Sequence, residues 1–306
     1  MVDEVDVQPR RPDLSASIDR DIPFADTHFH VWELSRFPYR WLSEGGQDEL
    51  LGDYRAICHD WPPARLFREL YGQNVRRCVH VEADSGAEDP VAETAWLESV
   101  AVELGRPDAL VVMSDLEGAH AERDLERHLE TSPRVRGVRI RKHPAEPSRG
   151  FRAGYEALGR LGLSYELNAS AGLLGAALDH VRAHPEVQVM VGHAGFPVHR
   201  DEDYLAGWRR ELRALAELDQ VACKVSGFAT VDHAWSIETL RPLVLDCIDA
   251  FGVERIVFGT DWPVASLFST YTEQVDAYRW IVAEAGFSQF EQELMLHGNA
   301  ERLYRM

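Results

Sequence analysis

The chain has few cysteines, no long apolar run and no excess of basic residues, and each shortage excludes a class of protein. The four cysteines are widely separated and form no CxxC pair; they are Cys58, Cys78, Cys223 and Cys247. This pattern excludes a disulfide scaffold and a cysteine-bound structural zinc, and it favours a reducing, cytoplasmic setting. Because no run of about eighteen apolar residues occurs, the sequence predicts no membrane span.

The charge of the chain is strongly acidic. Lys and Arg number 32 against 51 Asp and Glu, which gives a formal net charge of −19. Nucleic acids and anionic membranes bind basic surfaces, so we expect neither as a partner. A small-molecule substrate is the expected partner, and the composition leaves a homo-oligomer open.

Residues 1–20 differ in composition from the rest of the chain. They are polar and charged and contain no apolar stretch. This argues against a signal peptide and predicts a flexible N-terminal arm. Residues 21–306 contain no linker or low-complexity stretch, so we expect them to form a single domain.

Short apolar, β-branched segments alternate with longer amphipathic ones such as Ile237–Phe251. The predicted strands are Ile22–Asp26, Cys78–Ala83, Ala109–Ser114, Gly137–Ile140, Leu163–Leu167, Val187–Val191, Val221–Val225 and Arg255–Gly259. Strands that are apolar on both faces indicate a parallel sheet. Their alternation with helices predicts an α/β protein, a (β/α)8 TIM barrel. An open doubly wound sheet is the alternative, but no glycine-rich phosphate loop follows the first strand.

About fifty residues separate the first predicted strand from the second, more than a compact βα connection needs. This long first βα loop is rich in aromatic residues, namely Trp32, Phe37, Tyr39, Trp41 and Trp61. Long loops in compact domains are usually functional covers. The aromatic side chains would form either a substrate wall or a satellite core that caps the barrel.

Two histidines one residue apart stand at the end of the first predicted strand. Alternate side chains of a strand share a face, so His28 and His30 point the same way. Asp26 lies two residues before this pair. Two imidazoles next to a carboxylate are suited to a metal site or to a polarising pair in an active site.

Polar side chains also end the other predicted strands. In barrels of this type the active site lies at the carboxyl ends of the strands, and polar groups are costly inside a packed core. We therefore expect these side chains to meet at one site. The candidates are Glu82 on the second strand, Arg139 and Arg141 on the fourth, His193 on the sixth, and Asp261 and Trp262 after the eighth.

Several short motifs, taken together, resemble one known family. They are the HxH of His28 and His30, "GHAGFP" around His193, "KVSG" at 224–227, "FGTDWPV" around Asp261 and the closing "HGNAERLY". In these motifs the chain is similar to the amidohydrolase superfamily, and in particular to its lactonase branch of sugar-lactone hydrolases and pyrone-dicarboxylate lactonases. The resemblance implies a TIM barrel and a hydrolytic reaction at its mouth.

The resemblance also implies roles for the candidate residues. Asp261 is the expected general base that activates water, and Arg139 would bind the carbonyl or a carboxylate of the substrate. His193 would stabilise charge at the reaction centre. Further substrate contacts are expected from His28, His30, Glu82, Arg141 and Trp262.

Some of these candidates also have structural interpretations. Arg139 could instead pair with Glu166 inside the barrel, and Lys224 could neutralise the same carboxylate. Asp261 could cap the helix that follows it, as Asp often does.

Two interpretations of the cofactor stay open. Metal-dependent members of the family usually carry a further histidine on strand 5, whereas this strand reads SYELN, so we do not expect a binuclear site. A single zinc ion held by His28, His30 and Asp261, with His193 or Glu82 as a further ligand, is one interpretation. The other is a metal-independent site in which these side chains contact the substrate directly.

The sequence thus predicts a hydrolase that opens a small sugar lactone or carboxylated lactone to the hydroxy acid. The first alternative is a zinc-dependent, non-oxidative decarboxylase of a carboxylated aromatic, against which the missing strand-5 histidine counts. The second alternative is a barrel that only binds a ligand, although a binding protein has no need of a general base beside three imidazoles.

Overall fold

Eight parallel strands form one sheet in which each strand pairs with the next along the chain. The structure is a computed structural model that describes Leu14 and residues 18–306. The strands are β1 (Phe24–Phe29), β2 (Val75–Val81), β3 (Ala109–Met113), β4 (Val135–Arg139), β5 (Ser164–Leu167), β6 (Val189–Val191), β7 (Val221–Val225) and β8 (Ile256–Phe258). This arrangement confirms the predicted (β/α)8 barrel.

Helices follow the strands in alternation. They are α1 (Arg40–Ser43), α2 (Pro63–Glu69), α3 (Ala92–Leu104), α4 (Ala121–Thr131), α5 (Arg149–Leu161), α6 (Leu173–Ala183), α7 (Glu202–Ala216), α8 (Phe228–Val231), α9 (Ile237–Phe251), α10 (Tyr271–Glu284), α11 (Gln289–Glu293) and α12 (Asn299–Tyr304). A π-helical turn, Leu294–Gly298, joins the last two. Helix α9 has the predicted bounds because Ser236 and Thr239 form a capping box at its start and Gly252 follows its end.

The inward-facing strand residues form an apolar cluster of their own. It includes Val79, Met190 and Val257, and α12 joins it through Leu303 and Tyr304. The interior of the barrel is therefore a packed core, as is usual for this fold. The carboxyl ends of the strands lie outside this apolar cluster and are available to polar side chains.

The barrel closes between the end of β1 and the residues that follow β8. The backbone N–H of Asp261 donates to the carbonyl of His28 at 2.7 Å, and that of His30 donates to the carbonyl of Trp262 at 2.7 Å. A Cβ at Gly259 would lie 2.7 Å from the Cβ of His28, so only glycine permits this approach. The closure places the HxH pair directly against Asp261.

The segment between β1 and β2, residues 30–74, is folded. It contains α1, α2 and an antiparallel ribbon that pairs Gln47–Asp48 with Gly52–Asp53. The prediction of a long first loop is therefore not confirmed. The two interpretations of its aromatic residues apply to different side chains, since Trp32 is fully buried whereas Trp41 lines the cavity described below.

The predicted flexible arm, residues 1–20, falls largely outside the described residues. At its described end, Arg20 Nη2 lies 2.5 Å from Asp276 Oδ2, and Arg279 Nη1 donates to the carbonyl of Asp19 at 3.1 Å. The flexibility of the arm and the boundary at residue 21 stay predictions. Among the helices that the structure describes, none combines the length and the hydropathy needed to cross a bilayer.

Candidate active site

A cavity of about 210 Å³ opens at the carboxyl ends of the strands. We call it the catalytic cavity. Its described lining includes His30, Glu82, Arg139, Arg141 and Asp261 from the strand ends, and Trp41, Asp48, Leu50 and Leu51 from the segment after β1. Candidate residues from the ends of four different strands therefore line the same cavity.

Three side chains in this region bring metal-ligating atoms together. Ligand atoms of His28, His30 and Asp261 all lie within 4.8 Å of one another, and this is the one such group of three among the described residues. Asp261 Oδ1 is 3.3 Å from His30 Nε2 and 3.6 Å from His28 Nε2. All three residues are buried.

Neighbouring groups set the direction of both imidazoles. His30 Nδ1 is 2.8 Å from the carbonyl oxygen of Val81, so this nitrogen carries the proton and donates it. His28 Nε2 is 3.4 Å from Arg139 Nη1, which can only donate. His28 Nε2 therefore presents a lone pair, whereas His30 Nε2 faces the acceptor Asp261 Oδ1 at 3.3 Å. In both rings Nε2 is the atom that would face a metal ion in the site.

His193 lies beside this group. Its ring centroid is 4.3 Å from that of His28, and its Nδ1 is 3.0 Å from Ser226 Oγ. Gly227 makes room for the ring, because a Cβ there would lie 2.3 Å from His193 Nδ1. Burial lowers the pKa of His193 to about 4, so the ring is neutral at pH 7. Its service as a metal ligand stays a prediction.

The electrostatics of the site keep Asp261 ionised. Burial by itself would raise the pKa of this carboxyl, but His193, His30 and Arg139 outweigh it and hold the pKa below its ordinary value. Burial also lowers the pKa of His28 well below its usual value, and the nearby His193 and Lys224 add to this effect. At neutral pH a carboxylate therefore faces uncharged His28 and His193 rings.

A second buried carboxyl, Asp26, ties the two strand ends together. Its Oδ1 accepts from the backbone N–H of Thr260 at 3.0 Å and of His28 at 3.2 Å. Its Oδ2 accepts from Thr260 Oγ1 at 2.7 Å and from the Tyr271 hydroxyl at 3.0 Å. Burial raises the pKa of Asp26 to about 6 despite these bonds. Asp26 thus positions the segments that carry His28 and Asp261.

Arg139 is held by Glu82 and not by Glu166. Its Nε donates to Glu82 Oε1 at 2.6 Å, and its Nη2 donates to the Glu82 carbonyl at 2.7 Å. This fork leaves Nη1 beside His28, which points the positive charge toward the cavity. Further out, Arg141 forms an ion pair with Asp84.

Glu166 pairs instead with Lys224. Lys224 Nζ lies 2.8 Å from Glu166 Oε1, and both side chains are almost completely buried. The Tyr304 hydroxyl donates to the same oxygen at 2.6 Å. This network binds β5 and β7 to α12, so the structural interpretation of Lys224 fits the structure.

Trp262 lies in the core beside the site. Its ring contacts those of Trp61 and Tyr271 edge-on, and it is not among the described residues that line the catalytic cavity. Tyr271 and Tyr304 were not singled out from the sequence. Both lie on helices. Tyr304 ends the HGNAERLY motif, but nothing in that motif indicates that its hydroxyl would reach Glu166.

Comparison with known proteins agrees with this geometry. A family model described as Amidohydrolase matches residues 25–306 of the chain. The chain belongs to this family. The amidohydrolase is 32% identical over 299 residues to the uncharacterized protein y4mH of Sinorhizobium fredii, covering 94% of this chain and 99% of the relative.

Two further relatives carry more specific names. A Burkholderia multivorans protein named L-fucono-1,5-lactonase is 28% identical over 304 residues, covering 92% of this chain and 95% of its own length. A solved Burkholderia multivorans amidohydrolase with bound zinc matches with a TM-score of 0.78 and 26% identity, over 93% of this chain and 99% of that chain.

The donor set of this amidohydrolase fits one zinc ion. Catalytic zinc sites commonly use three protein ligands of the imidazole and carboxylate type and keep a further position open. His28, His30 and Asp261 supply this set. His30 is oriented by the Val81 carbonyl, as ligating histidines usually are by a backbone or carboxylate partner.

Proposed function

We propose that this amidohydrolase opens a small lactone ring to the corresponding hydroxy acid. The observation that carries the proposal is the buried Asp261 carboxylate, which lies near the uncharged rings of His28 and His193 and near the fixed guanidinium of Arg139. The similarity to a relative named L-fucono-1,5-lactonase supports a cyclic ester as substrate.

The side chains account for each proton and charge of the reaction. Asp261 accepts a proton from water as the water oxygen bonds to the lactone carbonyl carbon. Because Oδ1 faces both imidazoles, we assign this proton to Oδ2. Arg139 and His193 stabilise the negative charge on the carbonyl oxygen. Asp261 then returns the proton to the ring oxygen as the bond between that oxygen and the carbonyl carbon breaks.

A zinc ion held by His28, His30 and Asp261 would supply a Lewis acid for the carbonyl group. Proton transfer by a positioned carboxylate contributes roughly 10²–10⁴ in rate. Each preorganised donor at a developing oxyanion contributes roughly 10²–10³. Together these effects fall within the range that enzymes of this kind need.

The test is acid release from sugar lactones and carboxylated lactones in a pH-indicator assay. Asp261→Asn keeps the shape of the side chain but removes the base, so we expect kcat to fall by roughly 10³ or more. Asp179→Asn, at a side chain that is 97% exposed, is the matched control and should leave kcat unchanged.

Each variant is assayed with and without a chelator. Hydrolysis that survives chelation but not Asp261→Asn shows a metal-independent lactonase, and hydrolysis lost in both shows that a divalent metal ion is required. If wild type releases no acid from any lactone, the proposal is wrong. Release of carbon dioxide from carboxylated aromatics would then support the decarboxylase.

A further inference from the structure

A second and larger cleft lies beside the catalytic cavity. It measures about 600 Å³ and is walled by the loops that follow β2, β3 and β4. Ligand pockets for small molecules usually span roughly 300–1,000 Å³. The catalytic cavity, at about 210 Å³, lies below this range and suits a single small ring. We call the larger space the outer cleft.

The two spaces adjoin at one ion pair. Arg141 and Asp84 form part of the lining of both the catalytic cavity and the outer cleft. The side chains are 62% and 36% exposed. A pair this exposed is weakly held by its own charges, so a ligand can pass it at little cost. One molecule can therefore occupy both spaces.

The outer cleft contains a buried hydroxyl that lacks a partner. Ser114 is 1% exposed, and its Oγ has no hydrogen-bond partner among the described residues. Buried polar groups in native proteins are nearly always hydrogen-bonded. Ser114 lines the cleft, but this oxygen is closed to solvent, so a ligand hydroxyl would reach it only after the serine side chain rotates.

Glu93 adds a carboxyl to the same lining and is 6% exposed. Burial, helped by the charge of Glu82, raises the pKa of Glu93 to about 8. The carboxyl is therefore protonated at neutral pH. In this form it can donate one hydrogen bond and accept others, which suits an uncharged oxygen atom.

The charges around the outer cleft disfavour an anion. The lining holds acidic side chains at Asp84, Glu88, Asp115 and Glu117 besides the neutral Glu93, against basic ones at Arg141 and Lys142. The apolar part of the wall comes from Met113, Leu116, Ile140 and Phe151. Apolar surface next to neutral hydrogen-bonding groups matches the alternating C–H and O–H groups of a sugar.

We propose that the outer cleft binds a neutral, hydroxyl-rich substituent of the substrate, such as a glycosyl group, while the lactone ring occupies the catalytic cavity. This inference rests on the proposed function, since it assigns the second half of the lactone that Asp261 opens. The preferred substrates are then lactones derived from disaccharides and not from single sugars.

The test compares glucono-1,5-lactone with lactones that carry a glucosyl group at O4 or at O6. We expect kcat/KM for one of the glucosylated lactones to be at least tenfold higher than for glucono-1,5-lactone. Ala87→Trp would fill the cleft from its wall and should bring this ratio close to one. Val102→Trp, on the exposed side of α3, is the matched control and should leave the ratio as in wild type.

Glu93 gives a second readout that separates hydrogen bonding from packing. Glu93→Gln keeps an uncharged group that donates and accepts, so the ratio should be retained. Glu93→Ala should reduce it about tenfold. A wild-type ratio near one, a ratio that persists in Ala87→Trp, or a greater gain from an acyl group than from a glucosyl group would each overturn the proposal.

Failure of the proposed function has a different signature. If no lactone is hydrolysed, calorimetry with cellobiose and gentiobiose tests the outer cleft directly. Saturable binding to wild type that is lost in Ala87→Trp would keep the glycosyl assignment. Absence of binding to wild type would overturn it.

Discussion

Two clusters of histidines lie in different regions of the barrel, and only one is suited to catalysis. In the inner cluster the ring centroid of His28 is 5.0 Å from that of His30 and 4.3 Å from that of His193, and His80 lies 6.2 Å from His30. The outer cluster consists of His143, His180 and His184, with centroids 6.2 and 4.8 Å apart. Burial alone does not separate the two, because His143 and His180 are also buried and only His184 is half-buried.

The surroundings of the two clusters separate them. The outer cluster packs against the aromatic rings of Phe151, Tyr155 and Tyr165. The inner cluster faces the Asp261 carboxylate and the Arg139 guanidinium next to an open cavity. The outer cluster also has a carboxylate, Glu186, 3.3 Å from His184, and it adjoins a cavity of about 240 Å³. The inner cluster is therefore set apart by the metal-binding geometry that it shares with Asp261 and by the guanidinium of Arg139.

The strongest test of the difference between the two clusters is to remove one histidine from each. His30→Ala takes away a ligand and a neighbour of Asp261, so we expect bound zinc to be lost and kcat/KM to fall at least about 100-fold. His184→Ala in the outer cluster should change neither. Metal analysis and lactone kinetics measure both quantities, and equal effects of the two variants would contradict the distinction.

A smaller effect is expected from the cation of the inner cluster. Arg139→Lys keeps the charge but loses the two-pronged grip on Glu82, so the ammonium group is no longer aimed at the cavity. We expect kcat/KM to fall by roughly 10–100-fold, mostly through kcat. Arg182→Lys on the surface is the control. An unchanged kcat in Arg139→Lys would show that charge alone suffices.

A third expected effect concerns stability, and not activity, and involves the outer cluster. Burial lowers the pKa of His143 to about 4, against about 6.5 for an unperturbed histidine. The folded protein thus binds this proton less readily than the unfolded chain. The resulting stability is complete above pH 6.5 and is lost as the pH falls toward 4.

His143→Gln removes this dependence. Between pH 7 and pH 4.5 we expect its free energy of unfolding to fall less than that of wild type, by up to about 3 kcal/mol. Urea unfolding at the two pH values measures the difference. Activity at pH 7 should stay as in wild type, and parallel stability curves would show that His143 does not titrate in this way.

The barrel itself was predictable because its signal is local. Apolar runs of strand length recur along the chain, and the core strand β7 (Val221–Val225) has the predicted bounds. The first strand was predicted at Ile22–Asp26 but runs over Phe24–Phe29. Its later end arises from hydrogen bonds to residues beyond β8, and no local pattern reports a partner so distant.

The position of the candidate side chains was predictable for the same reason and to the same limit. His28, His30 and Asp261 stand at strand ends, where the fold directs side chains to one mouth. The partners that orient them were not predictable. Arg139 binds Glu82 and Tyr271 contacts Asp26 because of packing between elements that are far apart in the sequence.

The bond from Thr260 to Asp26 has a consequence for the order of folding. It joins residues 234 positions apart, so the first strand must remain without this partner until the last strand is in place. Closing so long a loop is entropically costly and slow compared with helix formation. We therefore expect turnover to return later during refolding than the helical circular dichroism signal does.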